Sequence, residues 1–335
     1  MAQRKPAQSG EEAIIARYFR PLARHPAAFG LIDDCAALAL PAGSDLVLKT
    51  DAIVGDVHFF SDDPPDKVAQ KALRVNLSDL AAKGAKPAGF LLALALPKGI
   101  GEDWLAAFAR GLGKDAAAFR CPLLGGDTDR TPGPVTIAIT AFGTVPKGTM
   151  VRRAGARPGD RVVVTGTIGD AALGLASRLD PGAAARWALA PGEAAHLADR
   201  YLLPQPRNAL AEALRRSASA SIDVSDGLVG DLGKLCAASG VSADVEAARV
   251  PLSRAAQRAL AAEPAEIERV LTGGDDYEIV CTVRPAKLAA LRAAAARARV
   301  PVAEIGVITK GRAPVRFLDQ TGEPVLFKTP SFSHF

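Results

Sequence analysis

A stretch rich in glycine, proline and arginine, residues 146–161, divides the chain into two halves. Before it, helical and strand-like patterns alternate and end in the β-branched run 135–145. After it, the run 161–165 opens a second series of short strands and alanine-rich helices. At 335 residues the chain is long enough for two separate cores. The sequence therefore predicts two domains of mixed α/β or α+β architecture, 1–148 and 149–335.

Composition argues against several classes of protein. The longest apolar run, 90–96, ends at Pro97 and is far shorter than the ~20 residues of a membrane-spanning helix. The N-terminus lacks the apolar stretch typical of a secretory signal. The 4 cysteines lie far apart and form no CxxC pair, so neither a disulfide framework nor a zinc site is expected. We therefore expect a cytoplasmic protein that does not contact membranes.

The charge balance is mildly basic, with 41 Lys and Arg against 36 Asp and Glu. The basic residues are dispersed over alanine-rich helical stretches. Aromatic residues make up 5% and do not interleave with them as a base-stacking surface requires. Solvated helix faces are the simpler interpretation, so we expect no nucleic-acid partner.

Acidic residues, in contrast, cluster beside glycine, serine or threonine close to apolar runs. Any single Asp-Gly or Asp-Asp pair is more often a turn or a helix cap. Several of them converging would repel one another and require cations. Mg²⁺ prefers oxygen ligands and takes one or two carboxylates together with substrate phosphates, so the whole set favours a metal–phosphate site. These acids are Asp33, Asp34, Asp51, Asp127, Asp223, Asp226, Asp275 and Asp276.

Other motifs allow two interpretations each. The apolar spacing between 66 and 84 predicts a helix, on which Asp79 and Lys83 share a face; an exposed ion pair is the simpler interpretation. Segment 166–170 fits either an anion site at a helix N-terminus or Asp170 as an N-cap. Arg153 fits either a phosphate clamp or a solvated linker arginine. The sequence contains no GxxxxGK[ST], which excludes a Walker-type phosphate loop.

Taken together and in this order, the motif segments resemble the thiamine-monophosphate kinase family. The resemblance implies the two-domain α/β (α+β) fold of the aminoimidazole-ribonucleotide synthetase superfamily, in which the N-terminal sheet forms a homodimer interface and a C-terminal α+β domain completes the site. It also implies direct in-line phosphoryl transfer from ATP to thiamine monophosphate, assisted by several Mg²⁺ ions. The segments are 33–37, 50–59, 75–87, 125–128, 164–170, 222–232 and 273–278.

The resemblance assigns roles to individual residues and implies no covalent catalytic residue. Three positions depart from the family pattern: Lys49 where Ser or Thr is common, Lys83 where Met is common, and Phe332 where Trp or Tyr is frequent. Lysine at 49 is compatible with a metal ligand if the position binds through its carbonyl oxygen, whereas one magnesium contact is lost if the position binds through a hydroxyl. The implied metal ligands are Asp33, Asp34, Lys49, Thr50, Asp51, Asp79, Asp127, Asp223 and Asp226; the ATP contacts are Gly126, Asp127, Arg153 and Ser225; the substrate contacts are His58, Asp275 and Phe332.

Two alternatives stay open at the level of sequence. One is another ATP-using enzyme of the same superfamily that acts on a different small-molecule acceptor. The other is a catalytically silent homologue that binds Mg²⁺ and nucleotide without turnover.

Overall fold

The structure is a computed structural model that describes residues 10–329 and 331. The chain divides into two compact units, the first made of 1–76 with 87–144 and the second of 77–86 with 145–335. The predicted domains, 1–148 and 149–335, differ from these units over the segments 77–86 and 145–148. Over the described residues, none of the helices has the length and apolar character that crossing a membrane requires.

The first unit is built on a four-stranded sheet in the order β1-β4-β2-β3, with β2 and β3 parallel. Along β1 the side chains alternate between the faces, so Val47 and Ile53 are buried whereas Leu46 and Leu48 are exposed. A π-helical turn continues α1 at its C-terminal end. The helices and strands of this unit are α1 (Gly10–Ile14), β1 (Ser44–Val54), α2 (Pro65–Ala82), β2 (Lys86–Leu96), α3 (Glu102–Ala118), β3 (Leu123–Arg130) and β4 (Thr136–Pro146).

Glycine at position 126 lets β3 lie close to β2. Gly126 has a φ of 155°, and a Cβ at this position would lie 1.9 Å from the carbonyl oxygen of Leu92. Any side chain here would push the two strands apart, so only glycine fits this pairing.

The second unit contains a six-stranded sheet in the order β10-β7-β9-β5-β8-β6. Strand β8 is buried along its whole length, between β5 and β6, and pairs antiparallel with both. The elements of this unit, besides short 3₁₀ turns, are β5 (Arg161–Thr165), α4 (Asp170–Leu179), α5 (Ala183–Arg186), α6 (Pro191–Leu202), α7 (Ala211–Ser217), β6 (Ala218–Val224), α8 (Leu228–Ser239), β7 (Ser242–Glu246), α9 (Arg254–Ala262), α10 (Glu266–Thr272), β8 (Glu278–Val283), α11 (Pro285–Arg297), β9 (Val302–Thr309) and β10 (Arg316–Leu318).

The register between β6 and β8 places two loops side by side. Val224, the last residue of β6, pairs with Glu278, the first residue of β8. The chain that leaves β6 therefore lies next to the chain that enters β8. Both carry acids singled out from the sequence, Asp226 on one and Asp275 on the other.

Both units mix helices with a sheet, which confirms the predicted fold class. The helix predicted between 66 and 84 is observed as Pro65–Ala82. The stretch between β4 and β5 holds no helix or strand, as its glycine and proline content predicts.

Candidate functional site

A cavity of about 870 Å³ in the first unit brings together predicted site residues that are far apart in the sequence. Its walls are mostly apolar and include Leu38, Leu91 and Phe142. Polar lining comes from Asp33, Asp34, the segment 125–128 and Thr140. An apolar cavity with a few polar groups is typical of a small-molecule site.

The acids of this cavity are exposed and have local hydrogen bonds. The Oδ1 of Asp33 accepts a hydrogen bond from the N–H of Asp34 at 2.8 Å, and the Oδ1 of Asp127 accepts one from the N–H of Thr128 at 2.9 Å. These bonds use one oxygen of each carboxylate.

Strand β1 presents its predicted ligands on two opposite faces. The Thr50 hydroxyl lies 3.1 Å from that of Thr140, which lines the cavity. Lys49 and Asp51 lie on the other face, where the Lys49 Nζ is 3.0 Å from the Asp51 Oδ1. The side chains of Thr50 and Asp51 therefore do not share one face of the sheet. The Lys49 side chain adds a cation beside a predicted metal ligand.

His58 is held by the backbone at the end of β1. Its Nδ1 accepts a hydrogen bond from the N–H of Val54 at 3.1 Å, so the proton of the neutral ring is on Nε2. The ammonium of Lys71, a side chain only 2% exposed, donates to the carbonyl oxygen of His58 at 2.9 Å. The ring of His58 is thus oriented with its N–H at Nε2.

Asp223, at the end of β6, is the most deeply buried of the predicted ligands. It is 3% exposed, and its Oδ2 has no hydrogen-bond partner. Burial raises the pKa of Asp223 well above its usual value, and the neighbouring charge of Asp79 raises it further; a hydrogen bond from Ser78 and the charge of Lys83 act in the opposite direction. Asp79 and Asp223 therefore come together in the second unit.

Lys83 faces this pair instead of lying only on a solvated helix face. Its Nζ donates to the carbonyl oxygen of Ser221 at 2.7 Å, two residues before Asp223 on β6. The departure from methionine at this position thus places a positive charge beside the buried acids.

The loops after β6 and before β8 interlock through their backbones. The N–H groups of Asp275 and Tyr277 donate to the carbonyl oxygens of Ser225 and Val224 at 2.9 and 2.8 Å. Asp275 adopts a φ of 71°, in the left-handed region that is unfavourable for residues other than glycine. A Cβ on Gly274 would lie 2.4 Å from the Ser225 oxygen, so the close approach requires glycine there. Ser225, Asp226 and Asp275 are held together in this way.

Asp231 is a supporting residue of the candidate site that the site prediction missed. Its buried Oδ2 accepts hydrogen bonds from the N–H groups of Ser225 and Asp226 at 2.9 and 2.8 Å, and its Oδ1 lies 2.8 Å from the Lys234 Nζ. Lys234 also donates to the Asp226 carboxylate. The signal in the sequence is an acid in the first turn of α8, a position from which it can reach back to free N–H groups.

The N-terminus of α4 is filled by the chain itself. The N-cap is Gly169 and not Asp170, and the Asp276 carboxylate accepts hydrogen bonds from the N–H groups of Gly169 and Ala171 at 2.7 and 3.4 Å. The interpretation of Asp170 as the N-cap is therefore wrong, and the anion position at this helix N-terminus is taken by the carboxylate of Asp276. Burial raises the pKa of Asp276 well above its usual value, while the Gly169 N–H opposes that shift.

A buried ion-pair network supports the start of β8. The Glu278 carboxylate is paired with the guanidinium groups of both Arg200 and Arg207, with a distance of 2.8 Å to the Arg200 Nη2. The Thr165 hydroxyl donates to the same carboxylate at 2.6 Å. The segment 273–278 is thus anchored at its last residue.

The remaining predicted contacts lie on the segment before β5 and near the C-terminus. The carbonyl oxygen of Arg153 accepts a hydrogen bond from the Ser239 hydroxyl at 3.0 Å, and that of Arg152 accepts one from the Ser221 N–H at 3.0 Å. These bonds fix the backbone and leave the Arg153 side chain exposed. Phe332 lies outside the described residues.

The carboxylates fit Mg²⁺ by their chemistry and distribution. Across residues 10–329 and 331, no three His, Cys, Asp or Glu side chains stand close enough to enclose a metal by themselves. Mg²⁺ does not need such a cage, because it keeps water ligands and binds one or two carboxylates plus phosphate oxygens. The partnerless Oδ2 of Asp223 beside Asp79 is an acceptor that a cation would satisfy.

Two family models match the chain, one in each half. The model described as AIR synthase related protein, N-terminal domain, covers residues 32–145. The model described as AIR synthase related protein, C-terminal domain, covers residues 157–319.

Sequence identity to a single relative shows which family of this superfamily the chain belongs to. The thiamine-monophosphate kinase of Caulobacter vibrioides is 46% identical over 301 residues, which is 89% of this chain and 83% of the relative. The chain belongs to the thiamine-monophosphate kinase family. The family and the kinase class expected from the motifs are thereby confirmed.

Solved thiamine-monophosphate kinases have the same fold. The crystal structure of the Stenotrophomonas maltophilia enzyme matches with a TM-score of 0.81 and 38% identity, covering 93% of this chain and 96% of that one. AaThiL complexed with AMPPCP and TMP matches with a TM-score of 0.77 and 28% identity, covering 92% and 96%.

Proposed function

We propose that this protein transfers the γ-phosphoryl group of ATP to thiamine monophosphate, which yields thiamine diphosphate and ADP. The observation that carries the proposal is that Asp33, Asp34 and Asp127 line one cavity in the first unit, and that Asp226 and Asp275 lie on two interlocked loops in the second. A relative of the same family is complexed with AMPPCP, a methylene analogue of ATP, and with TMP, which we take as thiamine monophosphate.

In this proposal a phosphate oxygen of thiamine monophosphate attacks the γ-phosphorus in line, and the bond from that phosphorus to the β-bridging oxygen breaks. The attacking oxygen is already ionised near neutral pH, because the second pKa of a phosphate monoester is about 6. No residue has to remove a proton, which agrees with the absence of a general base from the predicted site. The protein then contributes position and charge.

Several Mg²⁺ ions are part of the proposal. When bound, they would neutralise the phosphate oxygens of the two anionic substrates. The gathering of carboxylates in both units supports this assignment. The residues that would hold them are Asp33, Asp34, Thr50, Asp51, Asp79, Asp127, Asp223, Asp226 and the carbonyl oxygen of Lys49.

We assign nucleotide contacts to Gly126 and Asp127 in the 1–148 domain and to Arg153 and Ser225 in the 149–335 domain. Gly126 lines the cavity beside Asp127, and its exposed backbone suits contact with a phosphate. The exposed guanidinium of Arg153 extends from an anchored backbone and suits an anionic ligand.

For thiamine monophosphate we assign His58, Asp275 and Phe332. The oriented Nε2–H of His58 suits a phosphate oxygen. Asp275 is held in its left-handed conformation by the bond to Ser225 and supplies a negative charge that would attract the cationic thiazolium ring.

A turnover assay with purified full-length chain tests the function. MgATP is supplied with thiamine monophosphate or, in parallel, with thiamine. Thiamine diphosphate should form from the monophosphate, not from thiamine, and EDTA should stop the reaction. Nucleotide binding without product would move the search to other acceptors of the same superfamily; absence of both would favour a different function.

We also propose that the protein is a homodimer formed through the first unit's sheet. Strand β1 lies at the edge of that sheet and exposes Leu46 and Leu48, the latter 62% exposed. Large exposed apolar side chains on a sheet face favour a protein partner. Light scattering should give twice the chain mass, and Leu48→Glu should shift it to the monomer. A monomeric wild type would contradict this proposal.

A further inference from the structure

Lys234 is bound to a predicted metal ligand without being one itself. From the second turn of α8 its ammonium reaches back to the carboxylates of Asp226 and Asp231. Asp231 is occupied on its other oxygen by the N–H groups of Ser225 and Asp226. Asp231 therefore has a structural task, and Asp226 is the carboxylate of this pair that a metal could compete for.

The same arrangement recurs in the first unit. Lys49 lies two residues before Asp51 on β1, and their side chains share one face, with 3.0 Å between Nζ and Oδ1. As at Asp226, an ammonium group occupies a carboxylate that the motif pattern assigns to Mg²⁺. Two separate elements, a helix and a strand, thus show the same pairing.

We infer that Lys234 and Lys49 are built-in counter-ions that hold Asp226 and Asp51 in the metal-free protein and thereby set how much Mg²⁺ is needed to occupy them. This inference rests on the proposed function, which assigns Mg²⁺ to both carboxylates. Lys234 and Lys49 are positioning residues in this scheme, because they act through the carboxylates.

Physical chemistry gives the direction of the effect. An ammonium group is a compact charge on a flexible stem, so it can neutralise a carboxylate and also withdraw when a divalent cation arrives. The Lys234 and Lys49 side chains are 39% and 30% exposed, which leaves room for such withdrawal. Because metal binding must break the ion pair, removal of the lysine charge should strengthen binding, and high salt should reduce the difference.

The decisive measurement is metal affinity without substrates. Mn²⁺ shares the oxygen preference of Mg²⁺, and the concentration of its free ion can be read by electron paramagnetic resonance. We expect Lys234→Gln to bind Mn²⁺ about three- to tenfold more tightly than wild type at low salt. Lys49→Gln should show a gain of the same sign, and Mg²⁺ should displace the Mn²⁺.

Controls separate a local counter-ion from general charge and from misfolding. Lys310→Gln removes an exposed lysine of the second unit and should leave the affinity unchanged. Lys234→Arg keeps the charge and should stay near wild type. The double variant Lys234→Gln with Asp226→Asn should lose the gain. Melting curves without metal check that each variant is folded.

Unchanged or weaker Mn²⁺ binding by a folded Lys234→Gln variant would overturn the inference and give Lys234 a purely structural role. Absence of Mn²⁺ binding in both the wild type and the variants would overturn it as well. Neither result decides the proposed function, because the turnover assay on thiamine monophosphate tests that separately.

Discussion

The acids of the candidate site differ between the two units in how the fold holds them. In the first unit Asp33, Asp34 and Asp127 are exposed at a cavity, and the bonds of Asp33 and Asp127 are to the amide of the next residue. In the second unit Asp223 is buried, and Asp231 holds two backbone N–H groups and a lysine.

The difference has a physical consequence. Exposed carboxylates are solvated, so they cost the folded protein little and gain their final positions from a ligand. Buried carboxylates impose a cost that must be met by ammonium, guanidinium and N–H groups before a ligand arrives. Substitutions in the first unit should therefore change activity without stability, whereas those in the second should change stability too.

The largest effect is expected from Asp127→Asn. Loss of a metal-binding charge at the cavity should lower kcat/KM at least about a hundredfold, while the melting temperature stays within about 2 °C of wild type because the side chain is exposed. Steady-state kinetics and thermal melts measure both. Asp129→Asn, which changes another exposed acid of β3 with the same type of local bond, is the control. Normal activity with unchanged magnesium dependence would remove Asp127 from the metal set.

Glu278→Gln in the second unit should mainly lower stability, in contrast to Asp127→Asn. The change breaks a fully buried pair with Arg200 and Arg207 and should cost about 3 kcal/mol of unfolding free energy. In a Trp104→Phe background the remaining tryptophan, Trp187, reports on the second unit during urea unfolding.

The matched control for this prediction is Glu212→Gln, which breaks an exposed pair with Arg216 on α7 and should cost less than about 0.5 kcal/mol. Equal losses in the two variants would show that burial does not determine the cost and would weaken the comparison between the units.

A smaller effect should follow from His58→Ala, which tests the assignment of His58 in the first unit to contact with thiamine monophosphate. The KM for thiamine monophosphate should rise about tenfold, with kcat and the KM for ATP little changed, because a substrate contact is lost. His25→Ala is the control, since that ring also accepts a backbone N–H through Nδ1, at 3.2 Å. A rise confined to the KM for ATP would reverse the substrate assignment.

The smallest effect concerns pH and the pair Asp170–His196 in the second unit. Hydrogen bonding to Asp170 raises the pKa of His196, although burial opposes it. Burial alone would raise the pKa of Asp170, but its hydrogen bonds with His196, Ser253 and Thr167 outweigh this and lower it. Since the histidine side chain is 44% exposed, we expect only about 0.5 kcal/mol from the pair.

The direction of this pH dependence follows from the linkage between protonation and folding. The histidine contribution is complete below its ordinary pKa of about 6.5 and is lost as pH rises through the raised value; the aspartate contribution is lost only as pH falls through its lowered value. His196→Gln should therefore destabilise the protein more at about pH 5.5 than at about pH 9 in urea unfolding. A larger loss at the higher pH would contradict this account.

Much of the fold follows from sequence periodicity. The apolar spacing after Pro64 predicts α2, and the β-branched run 161–165 coincides with β5. The π-helical turn Ile15–Phe19, in contrast, has no counterpart in the sequence pattern. It follows from packing in the folded unit, which local patterns do not contain.

The candidate site divides in the same way. Short-range motifs single out Asp127 and Asp223, because acids beside glycine or at strand ends leave a local signal. The partners of Glu278 leave no such local signal. Arg200 and Arg207 lie more than 70 positions away along the chain and contact Glu278 only after the sheet has formed. The opposite orientations of Thr50 and Asp51 follow from strand periodicity alone.

The interlocked loops also constrain the order in which the chain can assemble. Ser225 and Val224 leave the ribosome long before Asp275 and Tyr277, whose amides bind their carbonyl oxygens. Until β8 has been synthesised and has paired with β6, the acids that follow β6 lack half of their support. This part of the site is therefore a late product of folding, formed by contacts between segments distant in sequence, and a chain that stops before β8 would carry its aspartates without the geometry that positions them.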